Sequence, residues 1–196
     1  MDGFLNLKLL SKKDFEKRTG FVFSKKNFLV TFHPETLSTD FGISGFKNLL
    51  KCLKNNDCNV LFTAPNADVG SDLILKIIKD FINQKNNKYL LIPSLGQELY
   101  LNALLLFDCV AGNSSSGIVE APLVDTNVLN IGDRQKGRYR FGHVIYVDII
   151  YNSISNSIND ILYKNKKIDF NYRNLRESIK KNSPSNKIIQ ILKNKL

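Results

Sequence analysis

The chain has 196 residues, 43% of them hydrophobic, which suffices for one large globular domain or two small ones. No apolar run approaches the roughly 20 residues that are needed to span a bilayer. Residues 1–6 lack the basic segment and apolar core of a signal peptide. We therefore expect a cytoplasmic protein that does not enter a membrane.

The net charge of +10 permits binding to nucleic acid or to another polyanion. The excess is concentrated after residue 163, where ten Lys or Arg residues face only Asp169 and Glu177. Such a segment is typically a solvated basic tail. We take that interpretation and keep nucleic-acid binding as the alternative.

The cysteines give no sign of a metal or redox site. Cys52, Cys58 and Cys109 are odd in number, lie on apolar segments and lack the C-x-x-C spacing. We interpret all three as reduced core residues and expect neither a metal nor a cofactor.

Apolar runs and amphipathic runs alternate along the chain. Ser11 and Gly20 bound a short predicted helix at 11–19. The predicted strands are 27–32, 59–63, 89–92, 107–111, 128–131 and 144–147. The other predicted helices are 38–55, 71–84 with Ser71 as its cap, 97–107, one starting within 117–123, 154–163 and 185–195.

Short apolar strands that alternate with longer helices are typical of a parallel sheet covered on both faces. We predict an α/β fold, a Rossmann-like doubly wound sheet, at 27–163. Residues 1–26 are expected to form a helix and linker, and 164–196 a basic tail whose terminal helix must dock to be stable.

Polar residues follow successive strands of this predicted sheet. They are His33, Asn66, the corner at Ile92, the loop at 114–117, and Arg134. Ligands of doubly wound folds bind beyond the carboxyl ends of the strands. The convergence favours a phosphate or nucleotide site.

The small-residue loop after the fourth strand is the most informative stretch. Gly112 to Gly117 contains three serines and precedes a predicted helix, so its unpaired N–H and hydroxyl groups suit a phosphate. Glu120 would lie one turn into that helix, where a ribose diol is a suitable partner. An ordinary capped turn remains the alternative.

Four ordered motifs and the closing segment resemble the C-terminal half of the hydrolysing UDP-N-acetylglucosamine 2-epimerases of the sialic-acid type. That half is the C-terminal domain of a glycosyltransferase-B fold. The matching segments are Thr-Phe-His-Pro-Glu-Thr at 31–36, Asn-Ala-Asp at 66–68, residues 112–122, residues 130–138 with Gly-Asp-Arg-Gln, and Ser-Asn-Lys-Ile-Ile-Gln-Ile-Leu at 185–192.

The resemblance implies a role for each matching residue. Ser114 and Ser115 would bind the diphosphate, Glu120 the ribose hydroxyls and the Ile92 backbone the uracil. Arg134 would reach the phosphates with a planar, permanently charged group. His33 and Asn66 would line the cleft between the two domains. Of these two, His33 is the candidate for assisting the departure of UDP.

Simpler interpretations stay open for two of these residues. His33 followed by proline is also compatible with a strand-ending turn. Arg134 shares its loop with Lys136 and Arg138, as a solvated basic loop would. We assign no functional role to His143.

The sequence departs from the family pattern at Asn127, where a proline is usual, and at Ser71, where a second glycine is common. Residues 1–6 match the start of the linker between domains, so the family's N-terminal half is expected to be missing. That half carries the catalytic carboxylates that remove and add protons as UDP is eliminated and water is added.

The resemblance thus implies a UDP-sugar-binding half that is inactive alone. UDP or a UDP-N-acetylhexosamine is the expected ligand, and a separate N-terminal half or a second copy is the expected partner. The alternative is a non-catalytic remnant or regulatory module that binds UDP or nothing. The exact sugar, including a diacetamido sugar, is left open.

Overall fold

The computed structural model describes residues 2–83, 87–138, 144–163 and 172–194. The strands are β1 (Asn27–Thr31), β2 (Asn59–Phe62), β3 (Tyr89–Leu91), β4 (Cys109–Gly112), β5 (Asn127–Ile131) and β6 (Val144–Val147). The helices are α1 (Lys12–Thr19), α2 (Ile43–Lys54), α3 (Ser71–Ile82), α4 (Gly96–Leu106), α5 (Ser115–Val119), α6 (Tyr151–Tyr163), α7 (Tyr172–Asn182) and α8 (Pro184–Lys193). His143 lies outside the described residues.

The strands form one sheet in the order β3-β2-β1-β4-β5-β6, and all neighbouring pairs are parallel. Each parallel connection needs a crossover. Helices supply it between successive strands from β1 to β5, whereas the described residues after β5, 132–138, form a loop. This order is that of a doubly wound nucleotide-binding fold, and it confirms the predicted Rossmann-like class.

Both faces of the sheet are buried, because successive residues of each strand point to opposite sides. On β1, Phe28 and Val30 join the core under α2, α3 and α6. Leu29 joins a second core with residues of α1 and α4. The strands therefore read as continuous apolar runs, as the sequence predicted.

The N-terminal segment packs into this second core. Ser11 caps α1 by accepting from the backbone N–H of Asp14 at 3.1 Å, and Gly20 ends the helix with a φ of +75°. Phe15 and Phe21 are buried, each with its ring within 6 Å of Phe107. The domain boundary at residue 26 stays a prediction.

Two predictions about helix N-termini are wrong, the capping residue of α3 and the start of α5. Gly70, with a φ of +89°, occupies the capping position of α3, so Ser71 is its first helical residue and does not cap it. The helix expected within 117–123 begins earlier, at Ser115. Its last helical residue is Val119, and the 3₁₀ turn Ala121–Val124 follows Glu120. Glu120 is thus the C-terminal cap of a short helix.

The tail contains a helix that the sequence did not predict. Helix α7 places Leu175 and Ile179 against the core on the α1 and α4 side of the sheet. The predicted terminal helix is present as α8. Its apolar side chains Ile188, Ile191 and Leu192 are more than half exposed, so the expected docking of this helix is not seen among the described residues.

The cysteines are buried and free, as predicted. Burial raises the pKa of Cys52 to about 11 and that of Cys58 to about 12, so both thiols stay protonated. Among the described residues, no helix has the length and apolar character to cross a membrane.

Candidate functional site

The direction of the chain across the sheet changes between β1 and β4. From β1 the chain runs outward to β2 and β3, and it then returns to β4 on the other side of β1. At such a switch point a crevice opens beyond the carboxyl ends of the two strands. Thr31 lies opposite Gly112 in this pair. His33, two residues further along, is hydrogen-bonded to Asn113, which directly follows Gly112.

Gly112 allows the two strand ends to approach closely. Its φ is +134°, and a β-carbon built on it would lie 2.0 Å from the backbone oxygen of Thr31. A side chain there would overlap the backbone of β1. This glycine therefore brings the serine loop next to His33.

Asn113 joins the two strand ends through its side chain. Its Oδ1 accepts from the backbone N–H of His33 at 2.7 Å, and its Nδ2 donates to the His33 carbonyl at 2.8 Å. The residue is fully buried. No role was predicted for it from the sequence, where the only available signal was a polar residue directly after a buried apolar strand.

The loop after β5 is tied to the same point. Arg134 donates from Nη1 to the backbone carbonyl of Asn113 at 3.2 Å, and Gln135 donates from Nε2 at 2.7 Å. Gln135 is buried, whereas Arg134 is only partly so. The guanidinium of Arg134 is thereby held beside the switch point, so this loop is not merely solvated.

The His33 ring is nearly enclosed, with 5% of the residue exposed. Its Nδ1 accepts from the backbone N–H of Asn66 at 3.0 Å, which assigns the proton of the neutral ring to Nε2. Burial, followed by the charge of Arg134, lowers the pKa of His33 to about 4 despite Asp68. The ring is therefore neutral at physiological pH.

A cavity of about 370 Å³ lies beyond the carboxyl ends of β1, β2 and β4. The predicted site residues that line it are His33, Asn66, Ser114 and Glu120. Its lining also includes Pro93, which follows Ile92 in the chain. A mostly polar crevice at the switch point is the expected place for a nucleotide.

Two hydroxyl groups at this cavity were not predicted from the sequence. Tyr100 and Ser116 line the cavity, but their hydroxyl oxygens are themselves buried, without a partner of good hydrogen-bond geometry among the described residues. Burial raises the pKa of Tyr100 to about 12. The side chains of Ser116 and Thr31 lie close enough to the Tyr100 hydroxyl to oppose this shift in pKa.

A second cavity, of about 530 Å³, adjoins the Arg134 loop. It is lined by Glu35, Asp133, Arg134 and Lys136, among others. Burial raises the pKa of the Glu35 carboxyl, which the Asn113 amide approaches at 3.5 Å. Glu35 belongs to one of the matching motifs, but no role was predicted for it from the sequence.

The structure thus places His33, Asn66, Ser114 and Glu120 around one cavity. Their individual roles stay predictions. Arg134 lies at the second cavity and reaches the first group only through Asn113. Ile92 and Ser115 are outside both linings, each next in sequence to a residue of the first cavity. Metal ligands are a separate question. Among the residues that the structure describes, no group of three or more His, Cys, Asp or Glu side chains is arranged to hold a metal ion.

A family model described as UDP-N-acetylglucosamine 2-epimerase matches residues 2–193 of the chain. The match includes all the motifs that follow the strands. The recognition made from those motifs is therefore confirmed.

Curated relatives are similar over most of this chain. The GDP/UDP-N,N'-diacetylbacillosamine 2-epimerase (hydrolyzing) of Campylobacter jejuni is 38% identical over 74% of the chain. The polysialic acid biosynthesis protein P7 of Escherichia coli is 40% identical over 79%. The aligned regions are 38% and 39% of those proteins, so the chain spans about two fifths of the length of these relatives.

A solved structure of Staphylococcus aureus MnaA with UDP has the same fold. It superposes with a TM-score of 0.56 at 13% sequence identity, over 79% of this chain and 41% of that protein. The superposition agrees with the predicted class, a Rossmann-like domain of the glycosyltransferase-B type.

Proposed function

Because this chain belongs to the UDP-N-acetylglucosamine 2-epimerase family, we propose that it is the UDP-sugar-binding half of a hydrolysing 2-epimerase. Such an enzyme converts UDP-N-acetylglucosamine and water into N-acetylmannosamine and UDP. The observation that carries the proposal is the polar cavity at the switch point, where His33, Asn66, Ser114 and Glu120 come together.

The nucleotide would lie across the carboxyl ends of β1 and β4. Ser114 and Ser115, at the start of α5, are close enough in sequence and space to receive the diphosphate together. Glu120 ends the same short helix and lines the cavity, so its carboxylate can accept hydrogen bonds from the ribose hydroxyls. Uracil would then reach the backbone of Ile92, which follows β3.

His33 would assist the departure of UDP as a neutral donor. With its Nδ1 occupied by the Asn66 N–H, its proton is on Nε2. A pKa of about 4 makes an imidazolium rare at pH 7, so proton transfer from a charged ring is not its expected role. A hydrogen bond from Nε2 to a phosphate oxygen would stabilise the negative charge that develops on the leaving group.

Arg134 would complement this hydrogen bond with its positive charge. Its guanidinium is held by the Asn113 carbonyl and is close enough to His33 to lower the pKa of that ring. A planar, permanently charged group at this point suits a pair of phosphate oxygens.

The acid and base of the reaction would come from a complementary N-terminal half. Proton removal at C2 of the sugar and hydration of the resulting glycal require positioned carboxylates. In the proposed assignment Glu120 is occupied by the ribose. A separate N-terminal half would complete the cleft. The exposed apolar side of α8 is compatible with association with that half or with a second copy of the chain.

If Glu120 binds the ribose hydroxyls, the variant Glu120→Ala should no longer distinguish a nucleotide that has these hydroxyls from one that lacks them. The native chain is expected to bind UDP more tightly than 2′,3′-dideoxyuridine diphosphate by about tenfold or more, since hydrogen bonds to a charged group contribute roughly 1.5–3 kcal/mol. Glu120→Ala should bind both nucleotides with similar affinity. Isothermal titration calorimetry measures the four dissociation constants.

Glu98→Ala is the matched control, because Glu98 is an exposed carboxylate paired with Arg18 away from the cavity. It should keep the native preference for UDP. An unaltered preference in Glu120→Ala would contradict the assignment of Glu120 to the ribose. A folded native chain that binds neither nucleotide would contradict the proposed function itself.

A further inference from the structure

Asn113 stands out among the buried polar residues because it connects three strand ends. Its side chain makes two hydrogen bonds to the backbone of His33, which follows β1. Its own backbone carbonyl, just after β4, accepts from Arg134 and Gln135, which follow β5. One residue thus links the loops that carry the proposed phosphate contacts.

The primary amide is suited to this position because one end donates and the other accepts. The His33 N–H and carbonyl are both buried and both need a partner. An aspartate at 113 would leave the carbonyl without a donor, and an alanine would leave both groups unpaired. Gly112 allows the close approach of β4 that makes the double contact possible.

The position of the His33 backbone determines where its ring lies. The ring is held on one side by the Asn66 N–H and is close to Arg134 and Asp68. If the backbone is released, the ring can leave the Asn66 N–H and gain access to water. The loss of the Asn113 side chain should therefore change the position and protonation of the His33 ring, although Asn113 bonds only to the His33 backbone.

We propose that Asn113 is the positioning residue of this site, holding His33 through its side-chain amide and the Arg134 loop through its backbone carbonyl. The inference builds on the proposed function, since the groups that it positions are the proposed phosphate contacts. Asn113 itself touches no substrate in this account. Its effect is transmitted through the orientation of His33.

The test is the protonation state of His33 in the variant Asn113→Ala, measured without nucleotide. The chain has two histidines, so a His143→Gln background leaves His33 as the only imidazole in long-range ¹H–¹⁵N spectra. The parent should show the Nε2–H tautomer and a pKa of about 4. Asn113→Ala should mix the tautomers and raise the pKa of His33 toward 6.5 by about 1 or more.

Asn27→Ala controls for a general loss of stability. Asn27 is an equally buried amide at the opposite end of β1, where it contacts Ser24 and Asp108. The control should keep the native tautomer and pKa of His33. If the His33 spectra of the two variants are the same at equal fractions folded, Asn113 is merely structural and the inference fails.

Asn113→Asp covers the case in which the alanine variant does not fold. It keeps an acceptor for the His33 N–H and loses the donor to the carbonyl, and it should also shift the tautomer balance. A native tautomer in this variant would overturn the inference. Nucleotide affinity separates the two claims, because a parent chain that shows the expected His33 state but no UDP binding contradicts only the proposed function.

In a parent chain that binds UDP, Asn113→Ala should weaken the affinity by about tenfold, the effect of losing one to two well-placed hydrogen bonds. Asn27→Ala should leave it within about twofold. Equal affinities in Asn113→Ala and its control would show that the phosphate contacts do not depend on this amide.

Discussion

Replacing Gly112 by alanine is expected to lower the free energy of unfolding by roughly 3 kcal/mol or more. The new β-carbon would lie 2.0 Å from the Thr31 oxygen and 2.8 Å from its carbonyl carbon, and both are backbone atoms at the carboxyl end of β1, a central strand. The φ of +134° adds strain for any L side chain. Urea unfolding followed by circular dichroism measures the loss.

Gly20→Ala separates the overlap from the effect of a positive φ. Gly20 has a φ of +75°, but apart from its two chain neighbours no heavy atom of the described residues lies within 4 Å of the position that a β-carbon would take there. This variant should cost only about 1 kcal/mol. If Gly112→Ala were as stable as Gly20→Ala, the result would contradict the close approach of β1 and β4 at Gly112 on which the site is built.

Arg134→Ala is expected to weaken UDP binding by about ten- to a hundredfold. A charge-assisted hydrogen bond to phosphate contributes roughly 1.5–3 kcal/mol, and the guanidinium is fixed beside the switch point by the Asn113 carbonyl. The pKa of His33 should rise in the same variant, because the charge of Arg134 contributes to lowering it. Calorimetry and histidine NMR give the two readouts.

Arg138→Ala is the control for general charge, since Arg138 is exposed in the same loop. It should lower the affinity by about twofold at most, and less at higher salt. If Arg138→Ala weakened UDP binding as much as Arg134→Ala, the loop would act as a diffuse basic surface. The specific phosphate contact of Arg134 would then be wrong.

The fold could be predicted because each strand and each crossover helix has a local signal. The run at β1 is apolar on both faces and ends at His33 and Pro34, so its length and flanking residues identify a buried parallel strand. Helix α7 has a signal that the prediction missed, because Tyr172, Leu175 and Ile179 recur at helical spacing. Its other residues are mostly polar and charged, which hides this spacing in the overall composition. Among the side chains of α7 that the structure describes, Leu175 and Ile179 reach the core.

The candidate site was partly predictable for a related reason. Residues that directly follow strands, such as His33 and Ser114, can be placed from the topology alone. The partnership of Asn113 with His33 depends on which strands are neighbours, and β1 and β4 are far apart in sequence. The buried hydroxyl of Tyr100 is on α4, where an amphipathic pattern does not indicate which polar group turns inward.

The central claim is that this chain holds UDP at the switch point between β1 and β4, and a ¹H–¹⁵N NMR titration of the native chain with UDP tests it most directly. The account predicts saturable shifts of backbone amides at Asn66, Ile92, Ser114, Ser115, Glu120 and Arg134. Amides of α8 should not move. The absence of saturable shifts at these positions in the folded chain, or shifts confined to the basic tail, would contradict it.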